Sequence, residues 1–185
     1  MLFLILYLIL IFSLLLFLIV MSVYTLSLIY SSIKGSPYVA TRSKRILEIL
    51  ANANLKPGKI FIELGSGDGR IVRTAVKKYG VKGIGIDINP LLVFWAKIIC
   101  RLDSGLRRND LVFKVKNIFN TDLTKADYVY IFLMPKLIEE LSKKMDKELK
   151  KGTVVISHGF PIKGWEKILY KKLERVPFPT YYYRK

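Results

Sequence analysis

An unbroken apolar segment opens the chain and limits what it can fold into. Residues 1–33 contain no charged side chain and consist largely of Leu, Ile, Phe, Val and Tyr. About 20 such residues suffice to cross a bilayer, and a single small domain could not cover so much apolar surface. The sequence therefore predicts a transmembrane helix over 1–33, followed by one domain over 34–185.

The flanks of this segment indicate its orientation. A secretory signal peptide would have a basic start, a shorter apolar core and a small-residue cleavage site, and the sequence shows none of these marks. The first charged residues after the segment are basic, and no acidic residue appears before Glu48. The positive-inside rule then predicts a single-pass membrane protein with residues 34–185 on the cytoplasmic side.

All of the net charge of +17 lies beyond the apolar segment. A positive field favours anionic neighbours, either lipid headgroups or nucleic acid. Because the basic residues are scattered rather than grouped in one block, charge alone does not choose between the two. With a membrane segment present, we expect a membrane lipid surface as the partner, and nucleic acid is the less favoured one.

The sequence gives little support to metal chemistry. Cys100 is the single cysteine and His158 the single histidine, so an intramolecular disulfide and a Cys-based zinc site are excluded. Cys100 follows the apolar run LLVFWAKII and is expected to be a small buried hydrophobe. We therefore predict no metal site.

Hydrophobic periodicity predicts alternating strands and helices after the anchor. The first helix begins at residue 43 and is expected to bury one face. That face consists of Ile46, Leu47, Ile49, Leu50 and Ala53. The alternation that follows, closed by two adjacent strands, describes an α/β sheet of seven strands with helices on both faces. The strands are predicted at 59–64, 81–87, 111–116, 127–134, 153–157, 167–175 and 180–185.

A glycine-rich loop, FIELGSGDGR at 61–70, follows the first predicted strand. Glycines let a ligand approach the backbone, and the next helix offers free N–H groups and its positive dipole end. The dinucleotide fingerprint would need glycine where the chain has Arg70, and the G-K-[ST] of a phosphate loop is missing. A tight turn alone would explain one glycine but not three. The loop therefore favours a nucleotide-like ligand.

Glu63, the glycine loop and Asp87 at the end of the second strand resemble motif I and the ribose-binding acid of class I S-adenosylmethionine-dependent methyltransferases. The resemblance implies a Rossmann-like fold and S-adenosylmethionine as the cofactor. Gly65 and Gly67 would then admit its amino-acid part. Glu63, where the class usually has Asp, would orient the loop or bind the cofactor amine through water. Asp87 would hold both ribose hydroxyls.

Further cofactor contacts are expected beside these positions. In this class an acid or amide after the third strand commonly contacts the adenine amino group, and here that residue is Asn117. A loop-capping role is the alternative for Asn117, whereas Asn89 is interpreted as the N-cap ahead of Pro90. The predicted cofactor-binding residues are Thr41, Glu63, Gly65, Ser66, Gly67, Asp87, Ile88, Asn117 and Ile118.

A narrower resemblance covers essentially the whole part after the anchor. PYVAT at 37–41, LGSGDGRIV at 64–72, IFLMPKLI at 131–138 and HGFPIKGW at 158–165 are similar to one family. Its members are the membrane-anchored lysine methyltransferases of the ATP synthase c-subunit and adenine nucleotide translocase type. The resemblance implies a protein-lysine N-methyltransferase whose protein substrate is membrane-embedded.

Lysine methylation needs a neutral amine placed in line with the methyl group, and aromatic walls suit a lysine side chain. Many enzymes that methylate base or glutamine amines carry a D/N-P-P-Y signature, which is missing here. The substrate-pocket candidates are Tyr38, Phe132, Met134, Pro135, His158, Phe160 and Trp165. Core packing is the alternative for most of them, and a structural hydrogen bond is the alternative for His158. No single general base is predicted.

The sequence is also compatible with other functions. The charge of +17 suits an RNA methyltransferase, and the anchor suits a lipid or quinone methyltransferase. A third alternative, from another class, is a cofactor-binding membrane protein without catalysis.

Overall fold

The first helix is one uninterrupted element. The structure, a computed structural model, describes residues 1–34, 36–106 and 108–185. Helix α1 spans Leu2–Lys34, and nearly all of its large apolar side chains are exposed. By length and composition alone it could cross a membrane. The division of the chain after residue 33 therefore stays a prediction.

Seven strands among the described residues form one mixed sheet. They are β1 (Ile60–Leu64), β2 (Lys82–Asp87), β3 (Leu111–Val115), β4 (Tyr128–Ile131), β5 (Val154–His158), β6 (Leu169–Leu173) and β7 (Thr180–Arg184). Their order is β3-β2-β1-β4-β5-β7-β6, and β7 alone runs antiparallel to the other six strands. The strand order reverses between β1 and β4, which leaves a crevice at their carboxyl ends. The predicted Rossmann-like seven-strand sheet is confirmed.

Helices cover both faces of the sheet, as predicted. They are α2 (Ser43–Ala51), α3 (Arg70–Tyr79), α4 (Pro90–Leu102) and α5 (Pro135–Glu148). Side chains of β1 alternate between two cores. Phe61 packs with residues of α2, α3 and α4, whereas Ile62 and Leu64 pack with residues of α5. Glu63 shares the Phe61 face and so lies on the α3 side of the sheet.

Capping residues fix the ends of the helices that border the crevice. α3 ends at Tyr79 and is capped by Gly80, where φ is +65° and the backbone N–H donates to the Val76 carbonyl at 3.0 Å. α4 begins after Asn89, whose side-chain oxygen accepts from the N–H groups of Leu91 and Leu92. Asn89 is therefore the N-cap that the sequence predicts.

The prediction that Leu47 belongs to the buried face of α2 is wrong. Ile46, Ile49, Leu50 and Ala53 are buried, but Leu47 is 41% exposed. Successive residues of a helix differ by about 100° in direction, and this short helix packs on the sheet along a single stripe. Leu47 lies outside that stripe and faces away from the core.

Two further details differ from the sequence prediction. Cys100 is half-buried at the margin of a core cluster rather than fully buried. β4 ends at Ile131 rather than at Met134, because Pro135 begins α5 and the chain must leave the sheet to enter that helix.

Candidate active site

One cavity lies at the crevice where the strand order reverses. It opens at the carboxyl ends of β1, β2 and β4, which is where ligands bind in open α/β sheets. All nine predicted cofactor-binding residues line it, and these are Thr41, Glu63, Gly65, Ser66, Gly67, Asp87, Ile88, Asn117 and Ile118. Their joint placement follows from the strand order, whereas their contact with a cofactor stays a prediction.

The glycine loop is held in a conformation that glycine favours. φ is +78° at Gly65, +51° at Gly67 and +74° at Gly69. A Cβ atom at Gly67 would lie 2.8 Å from the Tyr38 ring. The loop is tied to β2 because the N–H groups of Gly65 and Ser66 both donate to the Ile86 carbonyl, at 2.8 and 2.9 Å. The missing side chain at Gly67 therefore lets the Tyr38 ring pack directly against the loop backbone.

Asp87 ends β2 with its carboxylate directed at this loop. One carboxylate oxygen accepts from the Gly67 N–H at 2.7 Å, and the other accepts from the Asn89 N–H at 2.8 Å. Burial raises the pKa of Asp87, and these backbone donors act in the opposite direction. Each oxygen can accept more than one hydrogen bond, so the held carboxylate keeps acceptor capacity towards the cavity.

The Glu63 side chain is buried beneath the cavity rather than exposed to solvent. It is 4% exposed, and its carboxylate accepts from the Val72 N–H, in the first turn of α3, at 2.9 Å. Burial raises its pKa well above the ordinary value, and the nearby charges of Asp68 and Asp87 act in the same direction. Of the two roles implied by the resemblance, orientation of the loop and its helix is the one this contact supports.

Arg70, at the position where a dinucleotide loop has glycine, ties a second segment to the cavity. Its guanidinium pairs with the Asp68 carboxylate, the closest approach being 2.6 Å, and donates to the Tyr38 hydroxyl and the Thr41 carbonyl, each at 3.1 Å. Burial alone would raise the pKa of Asp68, but Arg70 lowers it below its usual value. Segment 36–42 is thereby fastened beside the glycine loop.

Sequence reasoning missed Asp68 and Arg70 as members of the site, although both line the cavity. The available signal was a pair of opposite charges inside the glycine loop itself, in the run GDGR. The Asn117 side-chain oxygen accepts from the Phe119 N–H at 2.9 Å, which is the loop-capping alternative; Asn117 also lines the cavity, and its contact with adenine stays a prediction.

The substrate-pocket candidates divide into two groups. Tyr38 and Phe132 line the cofactor cavity, and Phe132 also lines an adjoining groove together with His158. The ring centroids of Phe132 and His158 are 4.6 Å apart, and Phe178, which the sequence analysis missed, lies 5.2 Å from Phe132. Three rings therefore stand where the cavity meets this groove, here called the aromatic groove.

The other candidates lie away from the cavity. Trp165 is 3% exposed and packs edge-on against Tyr183 in the core on the α5 side, and Phe160 packs against the same cluster. Met134 precedes α5 and is 43% exposed, while Pro135 is the first residue of that helix. For Phe160 and Trp165 the structure shows the packing alternative that the sequence left open.

His158 makes a structural hydrogen bond at the end of β5. Its Nδ1 lies 2.8 Å from the Thr180 hydroxyl on β7. Burial, aided by the charge of Arg45, lowers the pKa of His158 to about 4. The imidazole is therefore neutral at pH 7.

We expect this histidine to make the fold sensitive to mild acid. The folded pKa of about 4 lies below the ordinary value of 6.5, so the unfolded chain takes up the proton first as pH falls. The stability contributed by neutral His158 should be complete above pH 6.5 and lost between pH 6.5 and about 4. The measurement is the free energy of unfolding of detergent-solubilised protein across this range, compared with His158→Asn. If the free energy of unfolding depends on pH in the same way in both proteins, the low pKa of His158 is contradicted.

The residues of the cavity suit S-adenosylmethionine. The backbone of Gly65 and Gly67 lines the cavity, Asp87 supplies a fixed carboxylate, and the buried Ser66 hydroxyl has no hydrogen-bond partner within the described ranges. Such an orphaned hydroxyl is satisfied when a polar ligand arrives. The fold and this site together define a class I S-adenosylmethionine-dependent methyltransferase.

Comparison with known proteins narrows the class. The sequence model of the ANTKMT methyltransferase domain matches residues 63–168. The chain belongs to the ANTKMT methyltransferase family, as its motifs predict.

Curated relatives agree with this placement. A protein-lysine N-methyltransferase of Saccharolobus islandicus is 38% identical over 130 residues, which is 70% of this chain and 80% of the relative. The lysine N-methyltransferase of the ATP synthase c-subunit in Xenopus laevis is 30% identical, and the adenine nucleotide translocase lysine N-methyltransferase of Mus musculus is 31% identical. These alignments cover 70% and 71% of this chain but only 55% and 56% of the two relatives, so the chain spans about half of their length.

A solved structure supports the cofactor. The chain superposes with a TM-score of 0.74 on an RNA methyltransferase from Salinibacter ruber in complex with S-adenosyl-L-homocysteine. The identity is 27%, and the match covers 79% of this chain and 93% of the other. S-adenosylhomocysteine is what remains of the cofactor after methyl transfer, and the prediction of S-adenosylmethionine is confirmed.

Proposed function

We propose that this methyltransferase is a protein-lysine N-methyltransferase, anchored by α1 and acting on a membrane protein. The observation that carries the proposal is the aromatic groove, which meets the cofactor cavity at Phe132. A lysine side chain entering along the groove would have its alkyl stem against rings and its amine directed to the cofactor. The 38% identity to the protein-lysine N-methyltransferase of Saccharolobus islandicus supports the same acceptor.

The charges around the aromatic groove suit the chemistry of the step. The bound cofactor supplies an electrophilic methyl group, and the acceptor amine must be neutral to attack it. Among the residues that line the groove, Glu48 is the one carboxylate, whereas four side chains are cationic. The cationic residues are Arg42, Lys44, Arg45 and Arg175. Nearby positive charge disfavours the protonated form of an amine. The groove therefore favours loss of the lysine proton before transfer, without a dedicated base.

The proposed anchor would bring the enzyme to its substrate. Tethering to the same bilayer raises the effective concentration of an acceptor that is itself membrane-embedded. Ser31, near the end of α1, lines the cofactor cavity, so the site begins where the apolar helix ends. By the positive-inside rule the domain over 34–185 lies on the cytoplasmic side, with its net positive charge facing anionic lipid.

Transfer of labelled methyl groups tests the proposal. Detergent-purified full-length protein is given labelled S-adenosylmethionine and separated membrane, soluble-protein and RNA fractions of its host. We expect label in a protease-sensitive membrane band that maps to lysine and disappears with Asp87→Ala. Asp122→Ala, which removes an exposed carboxylate outside the cavity, should leave the label intact.

The other fractions distinguish the alternatives. The RNA fraction is included because the Salinibacter ruber structure is that of an RNA methyltransferase and this chain carries a charge of +17. Label confined to RNA, or to a protease-resistant lipid extract, would overturn the lysine assignment. Cofactor binding without transfer to any fraction would indicate a non-catalytic protein.

A further inference from the structure

α4 carries apolar side chains on the side that faces away from the sheet as well as on the side that faces it. Leu92, Val93 and Ala96 are buried against the core. A second set, at helical spacing on the opposite side, is partly or fully exposed and is here called the outer stripe. It consists of Leu91, Phe94, Trp95, Ile98 and Leu102. The exposed fractions reach 60% for Phe94, 55% for Trp95 and 80% for Leu102.

Such a stripe needs a partner. Scattered exposed apolar residues are ordinary, but a continuous row of large side chains on one helix face marks an interaction surface. Lys97 and Arg101 are exposed one turn apart beside the row. An amphipathic arrangement of aromatic residues flanked by Lys and Arg is typical of helices that lie in the membrane interface.

The outer stripe begins where α1 joins the domain. The Asn89 side-chain amide donates to the Ser27 hydroxyl at 2.7 Å, to the Ser27 carbonyl at 3.0 Å and to the Ser31 hydroxyl at 2.8 Å. Tyr30 of α1 borders the same small groove as Phe94 of α4. The exposed apolar surface of α1 therefore continues directly onto α4.

The length of α1 determines how deep in the bilayer the junction between α1 and α4 would lie. At about 1.5 Å per residue, Leu2 to Val23 spans about 32 Å, close to the hydrocarbon thickness of about 30 Å. Val23 also lines the groove with Phe94, so the start of the outer stripe lies at the boundary of the hydrocarbon. Tyr30 and Trp95 belong to the residue types that concentrate at this level of a membrane.

We propose that the outer stripe of α4 is a second membrane contact, inserted at the headgroup level beside α1. The inference rests on the proposed anchoring by α1. Phe94 and Trp95 enter the interface, while Lys97 and Arg101 extend to anionic headgroups. Since Leu92 in the first turn of α4 and Ile88 just before this helix line the cofactor cavity, this contact fixes the active site close to the membrane surface.

Tryptophan fluorescence tests the contact, because the chain has two tryptophans in different settings. Trp95 is exposed, whereas Trp165 is 3% exposed in the core. Full-length protein is reconstituted into phosphatidylcholine–phosphatidylserine vesicles with or without brominated acyl chains, which quench nearby tryptophan. We expect bromination to remove at least half of the emission that Trp95 contributes. The matched variant Trp95→Phe reports Trp165 alone and should show little quenching.

The possible outcomes distinguish the membrane contact of α4 from the proposed anchoring by α1 and from the proposed lysine methylation. Vesicle flotation establishes whether each protein is anchored. Anchored protein with equal quenching in wild type and Trp95→Phe, or with none in either, overturns the contact while leaving the anchor intact. A blue-shifted Trp95 emission that bromination does not change also overturns it and indicates a protein cover, such as a second copy. Protein that fails to float refutes the anchor and the contact together, whereas lysine methylation is measured independently.

Discussion

Replacing Asp87 with Asn is expected to weaken binding of S-adenosylhomocysteine by about 10- to 100-fold and to reduce methyl transfer accordingly. A hydrogen bond to a charged group contributes about 1.5–3 kcal/mol, and two ribose hydroxyls would share this carboxylate. The Asn side chain has nearly the same shape, but it offers one acceptor oxygen in place of two. It also brings an N–H group towards one of the backbone donors, Gly67 or Asn89, that now approach the carboxylate.

Isothermal titration with S-adenosylhomocysteine measures this loss directly, without dependence on an acceptor. Asp122→Asn is the matched control, because Asp122 is exposed, accepts hydrogen bonds from nearby Thr124 and is not among the residues that line the cavity. Wild-type affinity in Asp87→Asn would show that the carboxylate positions the loop without contacting the cofactor. An equal loss in Asp122→Asn would show that the effect is not specific to the site.

Replacing Gly69 with Ala is expected to lower the free energy of unfolding by about 2–5 kcal/mol. Two costs add at this position. The left-handed φ of +74° costs a residue with a side chain about 1–2 kcal/mol. The new Cβ atom would also lie 2.3 Å from the Phe113 ring, and forcing extra volume into a packed core costs about 1–3 kcal/mol. Phe113 cannot move away freely because it also lies against Gly85.

Chemical denaturation in detergent, followed by near-ultraviolet circular dichroism, gives the two unfolding free energies. Gly58→Ala separates the two costs, since φ there is +76° and no atom lies within 4 Å of the added Cβ. We expect this control to lose only about 1–2 kcal/mol from the backbone term. Equal losses in the two variants would mean that the Phe113 contact relaxes without cost.

The sequence predicted the cofactor cavity because its parts depend on local signals and on one rule of topology. Glu63 lies near the end of β1, the glycine loop follows β1 and Asp87 ends β2, and parallel strands bring their carboxyl ends to the same edge of the sheet. The fastening of segment 36–42 by Arg70 could not be predicted in this way. It depends on a contact between residues about 30 positions apart that share no secondary structure.

Two other features could not be predicted from local sequence patterns, for related reasons. The run HGFPIKGW appears as one motif, yet the chain carries Phe160 and Trp165 to the core on the α5 side while His158 faces the aromatic groove. The run LLVFWAKII is apolar apart from Lys97, and sequence analysis associates such a run with burial. Only the arrangement of neighbouring elements shows that half of α4 is uncovered.

Asn89 links the cap of α4 to the end of α1, and this double use restricts which residues could replace it. Its side-chain oxygen accepts from the Leu91 N–H, while its amide group donates to Ser27 and Ser31. Aspartate would cap the helix equally well and could accept from the two serine hydroxyls, but it has no N–H to donate to the Ser27 carbonyl. Asparagine is therefore the capping residue whose side chain both starts α4 and donates to α1, so the position that begins one helix also fixes where the other lies against it.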